Sequence, residues 1–167
     1  MEAIQRSLDR YSKVLSRIEH GNDYIEYRYS EVKDEFGYTL PTMAYYNNDD
    51  DLYSLSWYKN GLTHRDDLDD NGKTLPAIIY SNGTRIWYKN GKYHRDDLDD
   101  NGRVLPAIIW SNGAQFWYTN GELHRDEIDE NGKALPAIIR SDETQAWYKN
   151  GVYYIDENGK TLPANGW

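Results

Sequence analysis

Two short words in this chain carry residue types that do chemistry. The first is "DLDDNG" at 67–72. It fits D-x-D-x-N-G, the opening of a calcium loop, in which Asp67, Asp69 and Asn71 offer oxygens and Gly72 permits the sharp turn. Asp97, Asp99, Asn101 and Gly102 repeat it. A third copy opens with Glu127, then Asp129 and Asn131. An EF-hand loop closes on a bidentate Glu at its twelfth position, where this chain has Ile78 or Ile108. The same residues also read as an Asn-Gly turn with solvated carboxylates, partly neutralised by Arg65 and Lys73. Calcium is the one cofactor these words suggest.

The second word is His-Arg-Asp, at 64–66, 94–96 and 124–126. Superimposed repeats would stack His64, His94 and His124 into a ladder fit for metal binding or proton transfer. Three equivalent copies argue against one active site, because catalysis needs one asymmetric cluster. The fourth unit has Tyr154 in the His place, which packing tolerates and metal ligation does not. The favoured reading is structural: an imidazole packed on Trp87 or its equivalent and bonded to backbone, with Arg95 pairing Asp96 or a neighbouring repeat's carboxylate. There is no glycine-rich phosphate loop, no Ser-His-Asp arrangement and no cysteine. The expectation is a non-enzyme.

The elements that position these words come in a thirty-residue repeat. Pro76, Pro106 and Pro136 are thirty residues apart, while Pro41 precedes by 35 and Pro163 follows by 27. Irregular end units around strict middle ones mark a repeat array. The boundaries are 1–20, an N-terminal segment; 21–56, a degenerate leading unit; 57–146, three regular repeats; and 147–167, a truncated last unit. Asn82-Gly83 and Asn90-Gly91 follow β-forming runs and predict two-residue hairpins, since both residues tolerate positive φ. A repeat is then a meander of "PAIIYS", "TRIWYK" and "KYHRD". Two-residue turns set Ile78 opposite Trp87, Tyr80 opposite Arg85, Trp87 opposite His94 and Tyr88 opposite Tyr93. Trp57, Trp87, Trp117 and Trp147 are expected to form the core ladder of the array rather than a carbohydrate-stacking face.

Residues 1–20 differ. Ile4, Leu8, Tyr11, Leu15 and Ile18 step by four and three, which predicts an amphipathic helix over 2–19 with Gly21 as its stop. Its expected role is to cap the first repeat; a coiled-coil seam for dimerisation is the alternative use of the same stripe. The fold class expected is therefore all-β, with tandem hairpin or meander repeats forming an elongated antiparallel sheet or solenoid behind one capping helix.

Formal net charge is −9 over 167 residues. The acidity is local: residues 1–56 carry 6 cations against 11 carboxylates, the next two repeats balance, and residues 117–146 carry 3 against 7. No basic stripe exists, so direct nucleic-acid binding is not expected. No apolar run approaches the ~20 residues of a membrane span, charges interrupt the N-terminus throughout, and a cytoplasmic protein is the default expectation.

"WYKNGKYHRDD…LPAIIWSNG" resembles the W-Y-x-N-G-x-x-H-R…P-A-I repeats of giant-virus and bacteriophage proteins, loosely related to membrane occupation and recognition nexus (MORN) repeats. The resemblance covers about residues 36–167. It implies rows of β-hairpins acting as a binding scaffold, here for a protein partner of the host. MORN units are shorter and richer in Gly, and the insertion "DDLDDNGK" is the main departure; no basic cluster supports lipid binding. Partner contacts are expected where repeats differ: Tyr80, Trp110 and Arg140; Arg85, Gln115 and Gln145; Lys92, Glu122 and Val152. The rival functions are an acidic mimic of nucleic acid that inhibits a host defence enzyme, and a calcium- or carbohydrate-binding module.

Overall fold

The computed structural model describes residues 16–20, 23–27, 32–47, 49 and 51–154. Each regular repeat is three hairpins, and its glycines decide where each one closes. In the first, β7 (Ile78–Tyr80) and β8 (Arg85–Ile86) pair Ile78 with Ile86 and Ile79 with Arg85. Tyr80 N–H donates to Thr84 O (2.9 Å), Gly83 N–H to Tyr80 O (3.0 Å), and Gly83 alone takes positive φ, 94°. That is a three-residue loop with a left-handed glycine bulge. The expected two-residue closure at Asn82-Gly83 is thus corrected: Ile78 faces Ile86 instead of Trp87, and Tyr80 faces Thr84 instead of Arg85. The reason is Asn82, whose side-chain oxygen accepts Thr84 N–H (2.9 Å) and holds the wider loop.

The second hairpin closes as expected. Asn90 (φ 52°) and Gly91 (φ 77°) form a two-residue turn between β9 (Tyr88–Lys89) and β10 (Lys92–Tyr93), pairing Tyr88 with Tyr93. Gly91 has a second reason to lack a side chain: a Cβ there would sit 3.3 Å from Leu62 Cδ2 of the preceding repeat. The third hairpin is the acidic word itself. Leu98 bridges Val104, and Asp99 exchanges backbone bonds with Arg103 and Gly102. "KYHRD" is therefore strand only over Lys92–Tyr93.

Trp87 is the corner between sheets. Its N–H donates to Ala107 O of the next repeat (2.8 Å), and its C=O accepts from His94 N–H (3.2 Å). One residue thus belongs to the long sheet through its N–H and to the short hairpin through its C=O, so "TRIWYK" splits at the indole.

Ahead of β7 come β1 (Ser16–His20), β2 (Asp23–Tyr27), β3 (Met43–Tyr46), β4 (Leu52–Ser56) and the hairpin β5 (Tyr58–Lys59) with β6 (Leu62–Thr63). Later repeats add β11 (Ile108–Ile109), β12 (Gln115–Phe116), β15 (Ile138–Ile139) and β16 (Gln145–Ala146) to the long sheet. Their side hairpins are β13 (Tyr118–Thr119) with β14 (Glu122–Leu123), and β17 (Tyr148–Lys149) with β18 (Val152–Tyr153). Among the described residues the architecture is all-β: one antiparallel sheet of ten strands, ordered β1-β2-β3-β4-β7-β8-β11-β12-β15-β16, with four short hairpins beside it.

The helix expected over 2–19 does not stand as written. Ser16–Glu19 lie in β1, paired to β2 with Ile18 opposite Ile25. Ile18 and Ile25 are β-branched, and strand pairing to a neighbour satisfies more backbone than a helix end would. The rest of that stretch, with Gly21, lies outside the described residues.

The register aligns residues 57, 77, 87, 107, 117, 137 and 147 across the sheet, so tryptophan and alanine alternate. Trp57, Trp87 and Trp117 are buried, as are Ala77, Ala107 and Ala137 between them. An indole removes on the order of 250 Å² from water, worth roughly 6 kcal/mol as an upper estimate, and the Ala leaves room for it. Trp57, Trp87 and Trp117 are the core ladder the repeat spacing implied, while Trp147, expected in it too, is only half-buried.

Candidate binding faces

The residues copied in every repeat are bonded to one another. Arg95 stacks on Trp87, its Cζ 3.9 Å from the ring centroid, and its Nε donates to Asp97 (2.8 Å). Trp87 Nε1 donates to Thr74 O (2.7 Å) in the preceding repeat, and Asp97 accepts from Thr74 N–H (3.0 Å) and hydroxyl (2.5 Å). Thr74 of the neighbouring hairpin is thus gripped through both its N–H and its C=O. Trp57, Arg65 and Asp67 grip Thr39 in the same way. Burial pushes the Arg65, Arg95 and Arg125 guanidinium pKa down, opposed by the bonded carboxylate. The arginine's partner is the residue two positions on (Asp97), not the expected Asp96.

The third clamp is built differently. Val104 stands in the Thr74 place and offers no hydroxyl, and Glu127 stands in the Asp97 place. The longer carboxylate reaches Val104 N–H (2.7 Å) while still accepting from Arg125 (3.0 Å). Sequence reading passed over Thr39, Thr74 and Val104; the paired exchange Thr/Asp to Val/Glu was the available signal.

The histidines also join repeats. His64 Nδ1 accepts Asn90 N–H (3.0 Å), His94 accepts Asn120 (3.2 Å) and His124 accepts Asn150 (3.1 Å). An accepting Nδ1 leaves the proton on Nε2, which faces Asp66, Asp96 or Asp126. The His ladder is a chain of backbone links, as the structural reading of His-Arg-Asp expected, though the bond goes to the next repeat's Asn.

The loop carboxylates point at N–H groups. Asp69 Oδ1 accepts from Asn71 and Lys73 N–H (both 2.9 Å), and Asp99 from Asn101 (2.8 Å) and Arg103 (2.9 Å). Asp67 and Asp97 are taken by arginine and threonine. Backbone N–H groups hold the Asp99 and Asp129 carboxyl pKa values below the usual range, chiefly those of Arg103 and Lys133. Among the described residues no group of three His, Asp or Glu converges as a cation site.

The variable positions fall on three rows. Arg85, Gln115 and Gln145 share one row of the long sheet, each paired with the second isoleucine of a repeat. Tyr80 ends β7, and Trp110 and Arg140 directly follow β11 and β15, beside the loops. Trp110 is 44% exposed, Arg140 is exposed and Tyr80 half-buried. Tyr80 closes a run of edge-on rings, Tyr45–Tyr53 at 5.5 Å and Tyr53–Tyr80 at 5.6 Å. Lys92 and Glu122 lie apart, on the side hairpins, where each covers the turn glycine of the next repeat, Gly121 and Gly151. Tyr88, Tyr93 and Tyr118 stack there at 4.6 and 5.0 Å. Burial pushes the Tyr88 and Tyr118 phenols above the ordinary value, so they stay neutral.

A small cleft of about 160 Å³ lies between repeats, lined by His64, Asp66, Tyr88, Lys89, His94 and Asp96 among others. No family model, curated protein or solved structure matches the chain.

Proposed function

We propose that this chain is a non-enzymatic, MORN-like repeat scaffold that binds a protein, the partner class that its virus- and phage-type resemblance implies being a host protein. One observation carries the reading: the copied Trp, Arg, Asp and His are consumed in bonds between repeats, while Arg85, Trp110, Arg140 and Gln145 differ between repeats and face solvent. A constant frame that presents unlike side chains at fixed spacing is how repeat arrays bind partners. Trp and Arg are the residue types that dominate protein interfaces.

The test compares the wild-type chain with a Trp110→Ser/Arg140→Glu variant as immobilised bait in host lysate, at low and high salt. The reading expects a protein held by wild type at both salts and released by the variant. Equal capture by both, or no capture, would overturn it. Capture that is indifferent to Trp110 and collapses steeply with salt would favour the acidic-mimic reading instead.

A further inference from the structure

One set of copied residues stays largely exposed. Leu68, Leu98 and Ile128 hold the same place in three successive acidic hairpins and are 49%, 49% and 59% exposed. Lys33 holds that place in the leading unit, so the apolar row has a charged end. Exposure alternates residue by residue through each word, so every apolar tip stands between two exposed carboxylates: Asp66 and Asp70, Asp96 and Asp100, Asp126 and Glu130. An exposed apolar tip between carboxylates is written three times.

We infer that this row docks an amphipathic helix of a protein partner, with lysine or arginine on both sides of an apolar seam. Charge complementarity supplies the flanks: carboxylates on both sides of each apolar tip match cations on both sides of the seam. The spacing selects the helix. Each repeat adds two strands to the sheet, an advance of roughly 10 Å. A helix rises about 10.5 Å in seven residues and returns its side chain to the same face. An extended chain covers that distance in about three residues and arrives with the wrong face forward. Attraction is strongest around Ile128. Lys59 and Lys89 bond to Asp66 and Asp96 and Lys73 reaches Asp100 (3.4 Å), but Thr119 stands where a third such lysine would meet Asp126. The surface is separate from the variable rows and shares with the proposed function only the premise that the chain binds protein.

The test needs no natural partner. A synthetic helical peptide with Leu at every seventh position and Lys or Arg flanking each is titrated into the full chain by fluorescence anisotropy. A second peptide of identical composition has Leu at every fifth position. The expected result is saturable binding of the first, at least about tenfold tighter than the second, a difference of ~1.4 kcal/mol. A Leu68→Ser/Leu98→Ser/Ile128→Ser variant loses that preference. An Asp70→Asn/Asp100→Asn/Glu130→Gln variant keeps the preference and loses much of the salt dependence. Equal binding of the two peptides, or an unchanged serine variant, would overturn the inference. So would self-association of the chain that the peptide displaces, because the row would then belong to a second copy. None of these outcomes touches the lysate experiment, so the two readings fail separately.

Discussion

The guanidinium carbon of Arg95 lies 3.9 Å from the centroid of the Trp87 ring. The stack ties the third hairpin of one repeat to the corner residue of the long sheet. Asp97 completes it, and both side chains of the ion pair are about nine-tenths buried. The copied word W…H-R-D-D is accordingly a joint between repeats.

Breaking that joint from one side should be costly. Arg95→Ala leaves Asp97 buried with only Thr74 for company, a loss on the order of 3–5 kcal/mol. Arg95→Ala/Asp97→Ala should cost less than the two single changes together. Urea unfolding of the four proteins checks this, and additive losses would show that the pair is not coupled.

The third clamp offers an exchange experiment. Glu127→Asp shortens the carboxylate that spans Arg125 and Val104 N–H, and Val104→Thr restores the hydroxyl found in the other repeats. The double variant should recover about 1 kcal/mol relative to the sum of the singles. Denaturation midpoints measure it, and the absence of recovery would mean that the two exchanges are unrelated.

Ala107 stands level with Trp87 on one side and Trp117 on the other and is fully buried. Ala107→Leu should destabilise by roughly 1–3 kcal/mol through overpacking. Ala114→Leu, off the indole row, is the comparison. Thermal melts that rank the two equally would deny the alternating row its role.

Acid should loosen the array. Asp96 and Asp99 have folded-state pKa values below the ordinary carboxyl value, Asp96 through Lys89 and Asp99 through the Arg103 N–H. A depressed carboxyl contributes stability above its unfolded pKa and loses it as pH falls through the folded one. Stability should therefore be level from neutral pH to about 5 and decline below about 4. Asp99→Asn should flatten that decline, which urea titrations across the range would detect.

Much of this was readable in the residues. Thirty-residue spacing, Asn-Gly turns and alternating β-formers were enough for a row of hairpins with indoles inside, because turn geometry and side-chain alternation are local. Asn90-Gly91 closed as its residue types demand. Asn82-Gly83 did not, although the dipeptide is the same: the Asn82 side chain bonds to Thr84 N–H and adds a bulge residue, which moved Trp87 from beside Ile78 to beside Ala77. The helical stripe misled at its C-terminal end, where residues 16–19 pair with a neighbouring strand that no periodicity reveals.

Local chemistry alone determined that this chain is a β-repeat array, and that Trp, His, Arg and Asp recur for a shared reason. Which groups they meet was decided by stacking one repeat on the next. Arg95 chose Asp97, two residues on, over Asp96, while His94 reached Asn120 and Asp97 reached back to Thr74, the last two across separations that only the packed array closes. Burial made the same division. Repetition is visible in the residues, but whether a repeated side chain is hidden like Trp87 or bare like Leu98 depends on what the neighbouring repeat sets against it.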